Sequence, residues 1–377
     1  MQRFNRFRTL VLCAMLLPLA ASAQTTRPTQ TPQPNAALQY WQAFAVMPEA
    51  AGNPDVLDNW KTAPLDAAAM GVVASGKSSL HYLHRGAPMQ RCDWGLAIDQ
   101  GLDVQLPHLA KTRELACLAA LRARYALEHG QPGEAVEDIA GIFALARHVG
   151  TDNILISVLT QCALENIAID VTADHLLSLD GPARTALAAR MRSLPPGGSV
   201  QDCFGNEKDL CVQFLVKLLK ASDGNDGWVH KVFVATGVTT SEAAEAAVKA
   251  AGGTPQAVIT CLNDLDPYFK QVPALFALPE DQFQAQYAAL TKKFDANPMA
   301  KLVLSPYSNV YYSASRTRAR VAMLQAAIAV SLDGHDKLKD FQDPFGQGPF
   351  QFRLIEAGFE LQSVLTRQSD PVTLTVR

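Results

Sequence analysis

Along most of this chain apolar residues recur three and four positions apart, the period of helices that bury one face. Asn35 stands where it can cap a first helix in which Leu38, Trp41, Phe44 and Ala45 share a face, and Pro48 ends that helix. Asn53-Pro54 opens a short helix carrying Leu57 and Trp60. Pro107 suits a helix start and Gly130 a helix stop. Between them Leu115, Leu118, Leu121 and Tyr125 line one side, while Ala116, Cys117 and Ala120 cover much of the other. A helix apolar on two sides lies between neighbours. The next pattern opens at Pro132 and closes at Gly150, with Ala135, Ile139, Ile142, Phe143, Ala146 and Val149 as a wide stripe. The short connection folds these two helices into an antiparallel hairpin. Leu155, Leu159, Cys162 and Ile169 continue the period, and Leu187 and Leu194 follow a Gly181-Pro182 turn. Pro195-Pro196-Gly197-Gly198 and Asp223–Gly227 break the chain. Later helices are marked by Leu210, Phe214 and Leu218, by an Ala-rich run after Ser241, by Phe283, Tyr287, Leu290 and Phe294, and by Val321, Leu324 and Ile328.

The period drops to two in the tail. Phe350 and Phe352 alternate with Gln351 and Arg353, Phe359 and Leu361 with Glu360 and Gln362, and Val372, Leu374 and Val376 with Thr373 and Thr375. Three strands spanning 349–376 form a meander too small to stand alone, so it rests on the last helix. The expected fold is mainly α: an irregular stack of antiparallel helical hairpins over 35–335, with a small three-stranded antiparallel β tail over 336–377.

The start of the chain has a different character. Arg3, Arg6 and Arg8 precede an apolar stretch from Leu10 to Ala20, and Ala21-Ser22-Ala23 is a small-residue cleavage site. This is the make-up of an export signal over 1–23, which predicts a periplasmic or secreted protein beginning at Gln24. Residues 24–34 are Thr, Gln and Pro with almost no apolar content, and read as an extended linker. The longest later apolar run, Val321–Leu332, is broken by Gln325 and too short to cross a bilayer, so no transmembrane segment is expected in the mature chain. The full chain carries a net charge of −3, and the signal removes three arginines and no acid, which leaves −6. No basic field is present to attract nucleic acid.

Three resemblances follow from particular residues. Tyr125-Ala-Leu-Glu-His-Gly130-Gln-Pro-Gly-Glu-Ala135 resembles the middle of a tetratricopeptide repeat, so the hairpin over 107–150 is TPR-like, without a second copy at the repeat period. Asp343-Pro344-Phe345-Gly346, Pro349-Phe350-Gln351-Phe352 and Gly358-Phe359-Glu360-Leu361-Gln362-Ser363 resemble the C-terminal meander of type II secretion major pseudopilins. Val364–Asp370 replaces the calcium loop of that family and the prepilin signature is absent, so the resemblance implies a β module, neither a pilus subunit nor a calcium site. Asn35 to Phe44, Leu83-His84-Arg85-Gly86, Cys92-Asp93-Trp94-Gly95 and the tail together resemble an uncharacterised group of exported bacterial helical proteins, and that resemblance carries no activity.

Candidate chemistry is sparse. Gly71–Ser78 fits the letters of a phosphate loop, but the segment feeding it is Ala-rich and helical where a buried strand is required. His81 and His84 stand three apart on a helix, a spacing that can bring two imidazoles together. Arg85, Arg91, Asp93, Trp94, Asp99 and Asp103 lie in a polar segment between helices, where Trp94 either stacks on a ligand or plugs the stack. Arg316, Arg318 and Arg320 read as a solvated helix face. Cys203 and Cys211 on one straight helix would stand about 12 Å apart, too far to bond, and pairing among the other cysteines is not legible. No catalytic constellation, metal site or cofactor motif emerges. The sequence favours a binding or scaffolding module of the envelope acting on a protein or glycan, with His81, His84, Arg85, Arg91, Asp93 and Trp94 as its candidate binding residues. The alternative is a periplasmic hydrolase, directed at glycans, using carboxylates such as Asp93 and Glu207.

Overall fold

A computed structural model describes residues 33–48, 54–97, 104–222, 224, 227–234, 239–294, 296–304, 307–367 and 369–377. The expected export signal (1–23) and most of the expected linker (24–34), together with Asp99 and Asp103, lie outside the described residues. Among those described are sixteen α-helices and one three-stranded antiparallel sheet. The architecture is mainly α with a C-terminal β-meander.

Helix α1 (Ala36–Ala45) starts at Asn35, whose side chain accepts from the Ala37 amide. The face it buries is Ala36, Ala37, Tyr40 and Ala43, not the one bearing Leu38 and Trp41, which are 60% and 36% exposed. Tyr40 fits inward because Gly86 leaves room for its ring: a Cβ on Gly86 would stand 2.7 Å from it. Gly86 ends α4 (Lys77–Gly86), which follows α2 (Pro54–Asp58) and α3 (Ala67–Ser75). The Gly71–Ser78 string therefore runs along α3 and into α4, helix on both sides of Gly76.

The hairpin of α5 (Pro107–Glu128) and α6 (Pro132–Val149) forms as its prolines predict, and Leu115 to Leu121 are buried all round. Helix α7 (Leu155–Ala173) packs on both. It is long and apolar enough to cross a membrane by length and composition, which the sequence reading did not foresee, and 67% of its apolar window is buried in the protein. Helix α8 (Gly181–Arg192) is capped by Asp180.

A second group follows: α9 (Val200–Lys208), α10 (Phe214–Ala221), α11 (Ser241–Ala250), α12 (Pro255–Asn263), α13 (Asp266–Leu275), α14 (Glu280–Phe294) and α15 (Pro298–Leu304). A π-turn over Asp209–Gln213 joins α9 to α10, so one helical rod runs through the predicted Leu210–Leu218 pattern with an extra residue inserted. The last helix, α16 (Tyr307–Asp333), is 27 residues long, about 40 Å.

Strands β1 (Gln351–Ile355), β2 (Gly358–Arg367) and β3 (Asp370–Val376) pair in the order β1-β2-β3. Phe359, Leu361, Leu365, Val372, Leu374 and Val376 are buried, and β2 and β3 pack on α16. The ladder breaks at a bulge between Gln362 and Thr366. Side chains take over there: the Val364 amide donates to Asp343, the Leu365 amide to Ser363 Oγ and the Thr366 amide to Glu280. Asp343, 1% exposed, also accepts from Ser363 Oγ and from the Phe345 amide. The Asp-Pro-Phe-Gly turn and Ser363 of β2 are thus one latch. The end of β3 is fastened separately: the Arg377 amide donates to Ala173 O and the Leu177 amide to Arg377 O.

Two apolar cores organise these elements. One gathers α1 to α8, the sheet and Ala319 to Val330 of α16. The other gathers α9 to α15 with Leu155 and Val158 of α7 and Tyr307 to Tyr311 of α16. Helices α7 and α16 pack on each other, and each enters both cores.

Candidate functional site

The residues singled out in the sequence fall in three places. Asp93 is bound to Asn35 by a reciprocal pair, its amide donating to Asn35 Oδ1 at 2.9 Å while Asn35 Nδ2 donates to Asp93 O at 2.8 Å. Its exposed carboxylate pairs with Arg91 at 2.8 Å and accepts from the Gly95 amide. Trp94 is 5% exposed and donates Nε1–H to His148 O at 3.0 Å. Its ring stacks on Tyr40, Phe44 and His108, closing the space between α1 and α5. Behind it His148 is held on both sides: Nε2–H donates to Met89 O, so Nδ1 is the acceptor of the Tyr40 hydroxyl at 2.7 Å. Burial pushes this imidazole down to about 4, against the pull of the Met89 carbonyl.

His84 occupies a second cluster. Its Nε2 lies 2.9 Å from Oδ1 of Asp138, a wholly buried carboxylate that Arg122 grips through Nε at 2.7 Å and Nη2 at 2.5 Å. One charge cluster thereby ties α4, α5 and α6. His81 and Arg85 point to solvent, the His81 ring lying against Tyr82. Glu207 is elsewhere again, near Cys211 and Tyr307, where burial raises it and the Leu155 amide at the start of α7 lowers it. Asp93 and Glu207 share no partner among the described residues. No three His, Cys, Asp or Glu side chains among those residues come together in a group able to hold a metal ion.

A recess lies where the two cores meet. It encloses about 530 Å³ and is walled by the ends of α6 and α9, the middles of α7 and α16, Phe276 and the Gln342–Pro344 turn. The reason for its position is the pattern on the two shared helices. Where it passes from one core to the other α7 presents Gln161 and, one turn on beside Leu164, Glu165, and between its two core segments α16 presents Ser315, Thr317 and Arg318. Polar residues interrupt the apolar stripe where each helix changes core.

The floor of this cleft is fixed. Arg147 Nε lies 2.6 Å from Glu165 Oε1, Gln161 Nε2 donates to the same oxygen at 3.3 Å, and the Gly198 amide donates to Gln161 Oε1 at 2.9 Å. Glu165 is 3% exposed. Burial pushes its carboxyl upward, and the Arg147 guanidinium and the Gln161 amide pull the other way. The Pro195–Gly198 break is therefore a fitted part. A Cβ on Gly198 would collide with the Gly150 carbonyl, and one on Gly197 with the Gln161 amide. Cys162, on the same wall, is pushed up to about 12 by burial and then by Glu165, and stays a thiol at neutral pH. The other described cysteines are free as well.

Sequence reasoning missed Arg147, Gln161 and Glu165. Their signal is small: two of several polar residues, at helical spacing inside the mostly apolar Leu155–Ala173 run, and a Pro-Pro-Gly-Gly break that reads as a spacer. No protein-family model, curated protein or solved structure matches the chain.

Proposed function

We propose that this protein is an exported binding module of the bacterial envelope whose ligand, a short glycan segment, occupies the cleft between the two cores. The observation that carries this reading is the make-up of the cleft wall. Around the fixed Arg147–Glu165–Gln161 floor stand uncharged donors and acceptors, Gln201, Gln325, Gln342, Ser199 and Ser315, beside the half-buried ring of Phe276. Amides and hydroxyls satisfy sugar hydroxyls, and an aromatic ring offers a face to the apolar side of a pyranose. The signal pattern before Gln24 supports export, and sequencing the N-terminus of protein recovered outside the cytoplasm tests it: the expected start is Gln24.

Among the described residues Glu165 is the one carboxylate on the cleft wall, whereas hydrolysis of a glycosidic bond ordinarily takes two facing each other across the ligand. That supports binding over turnover. The raised Glu165 carboxyl is the one feature favouring a hydrolase, and it gives the second reading its own test: turnover of a soluble glycan that disappears in Glu165→Gln. For the binding reading, isothermal titration against soluble chitooligosaccharides, with affinity capture from an envelope fraction, is compared between wild type and a Gln325→Ala, Gln342→Ala, Phe276→Ala variant. The variant should lose at least tenfold in affinity, and because Phe276 also packs on Phe204, Phe283 and Tyr311, the Gln325→Ala, Gln342→Ala pair alone should lose affinity at an unchanged melting temperature. Absence of glycan binding by the wild type, or full binding by the variant, removes the reading, and capture of a protein through the same residues replaces the glycan with a polypeptide.

A further inference from the structure

A second recess, of about 400 Å³, lies on the other side of the wall that Cys162 and Thr317 form, since both residues line both spaces. Its charged lining is two arginines, Arg316 of α16 and Arg367 at the end of β2, with Asn166, Tyr312 and Ser313 beside them. Neither guanidinium sits in an ion pair among the described residues. Arg316 reaches Asn166 Oδ1 at 3.5 Å, and Arg367 lies over the Tyr312 ring at 4.9 Å with Asn309 Oδ1 at 3.4 Å. The carboxylate behind them is already engaged: Asp170 pairs with Arg320 at 2.6 Å and with Lys61 at 3.8 Å, and Lys61 also holds Asp174. Of the four cations here, Lys61 and Arg320 are held in ion pairs and Arg316 and Arg367 are in none among the described residues, Asp370 standing opposite Arg367 in the ladder without pairing to it. The three arginines read as one solvated face of α16 are in fact divided: Arg320 is 8% exposed and bound to Asn166 and Asp170, Arg318 lies over Phe345 on the cleft side, and Arg316 faces this recess.

We infer that the Arg316–Arg367 recess is an anion site for a phosphoryl group, independent of the ligand in the neighbouring cleft. Two guanidinium forks approaching from different elements suit an ion with acceptor oxygens on several sides, which a tetrahedral oxyanion has and a planar carboxylate lacks. Ser313 supplies a further donor at the same wall, while both Asn166 Nδ2 hydrogens are taken by Cys162 O and Thr317 Oγ1. Partial burial of the guanidinium, and then the Arg320 charge beside it, draw Arg316 below the ordinary range. The phosphoryl group can arrive free or on a lipid headgroup, and the two sources are separable.

The test uses the full chain at constant ionic strength. Inorganic phosphate is titrated while the melting temperature is followed, and vesicles of phosphatidylcholine with and without phosphatidic acid are tested by flotation. The expected result is saturable stabilisation by phosphate, or flotation with phosphatidic acid alone, weakened at least tenfold in Arg316→Ala and in Arg367→Ala and unchanged in Arg318→Ala. Both arginines are exposed, so both variants should melt with the wild type when phosphate is absent, and either one alone suffices if the other folds poorly. Response to phosphate points to a free anion and response to vesicles alone to a headgroup. The inference falls if the wild type responds to neither, if the double variant still responds, or if Arg318→Ala loses the response equally, which would mark a diffuse field.

Discussion

His148 is a histidine for which the folded state has no use as a cation. Tyr40 and Met89 take both ring nitrogens, and burial pushes the group from 6.5 down to about 4. An unfolded histidine takes up its proton near 6.5, so the contribution of this residue is fully present above that pH and is lost as the pH falls toward 4. The loss amounts to about 3 kcal/mol over the whole interval. Urea midpoints measured from pH 7 to pH 4 should fall on this account, and His148→Gln should flatten that limb while lowering stability at pH 7. An equal slope in the variant would assign the acid sensitivity to another group. Trp94, next to His148, shows why a residue type can be noticed in a sequence without its role being legible. An indole between charged residues looks available, and only the packing of α1 on α5 puts it 5% exposed with its N–H on a carbonyl.

At the scale of elements, the loop Pro195–Gly198 and the turn Asp343–Gly346 do more than connect. Gly198→Ala would force a Cβ into the backbone of Gly150, which has no flexible end to move aside. The expected cost is about 1–3 kcal/mol, and because the Gly198 amide fixes Gln161, cleft binding should weaken with it. Gly133→Ala is the control: nothing lies within 4 Å of a Cβ there, so its melting temperature should stay level or rise. Asp343→Asn replaces two accepting oxygens by one. An amide nitrogen would then face either the Phe345 or the Val364 N–H, leaving a buried donor unmatched at a cost of about 1–3 kcal/mol. Protease susceptibility of the bulge near Thr366 should rise first. The helices and strands were legible because period and caps are local properties. The inward face of α1 was not, since the room for Tyr40 is made by Gly86, about forty-six residues along the chain. The cleft was not legible either, because it is assembled from α6, α7, α9 and α16, and no local pattern records which polar interruptions of separate helices will meet.

At the scale of the molecule, the placement of α7 and α16 matters most. Two cores that met only through a loop could unfold one at a time, whereas here each of two helices contributes side chains to both. Native-state hydrogen exchange should therefore show the central amides of α5, in one core, and of α14, in the other, converging on one opening free energy. Separate limits for the two would show that the shared helices fail to couple them. The mechanical consequence concerns leverage. A rod of about 40 Å gripped at both ends behaves as an axle, and the notch beside its midpoint is where a small rotation of one half against the other opens or shuts the most space. Whatever lodges there acts as a chock, stilling play between parts that it touches over only a few side chains.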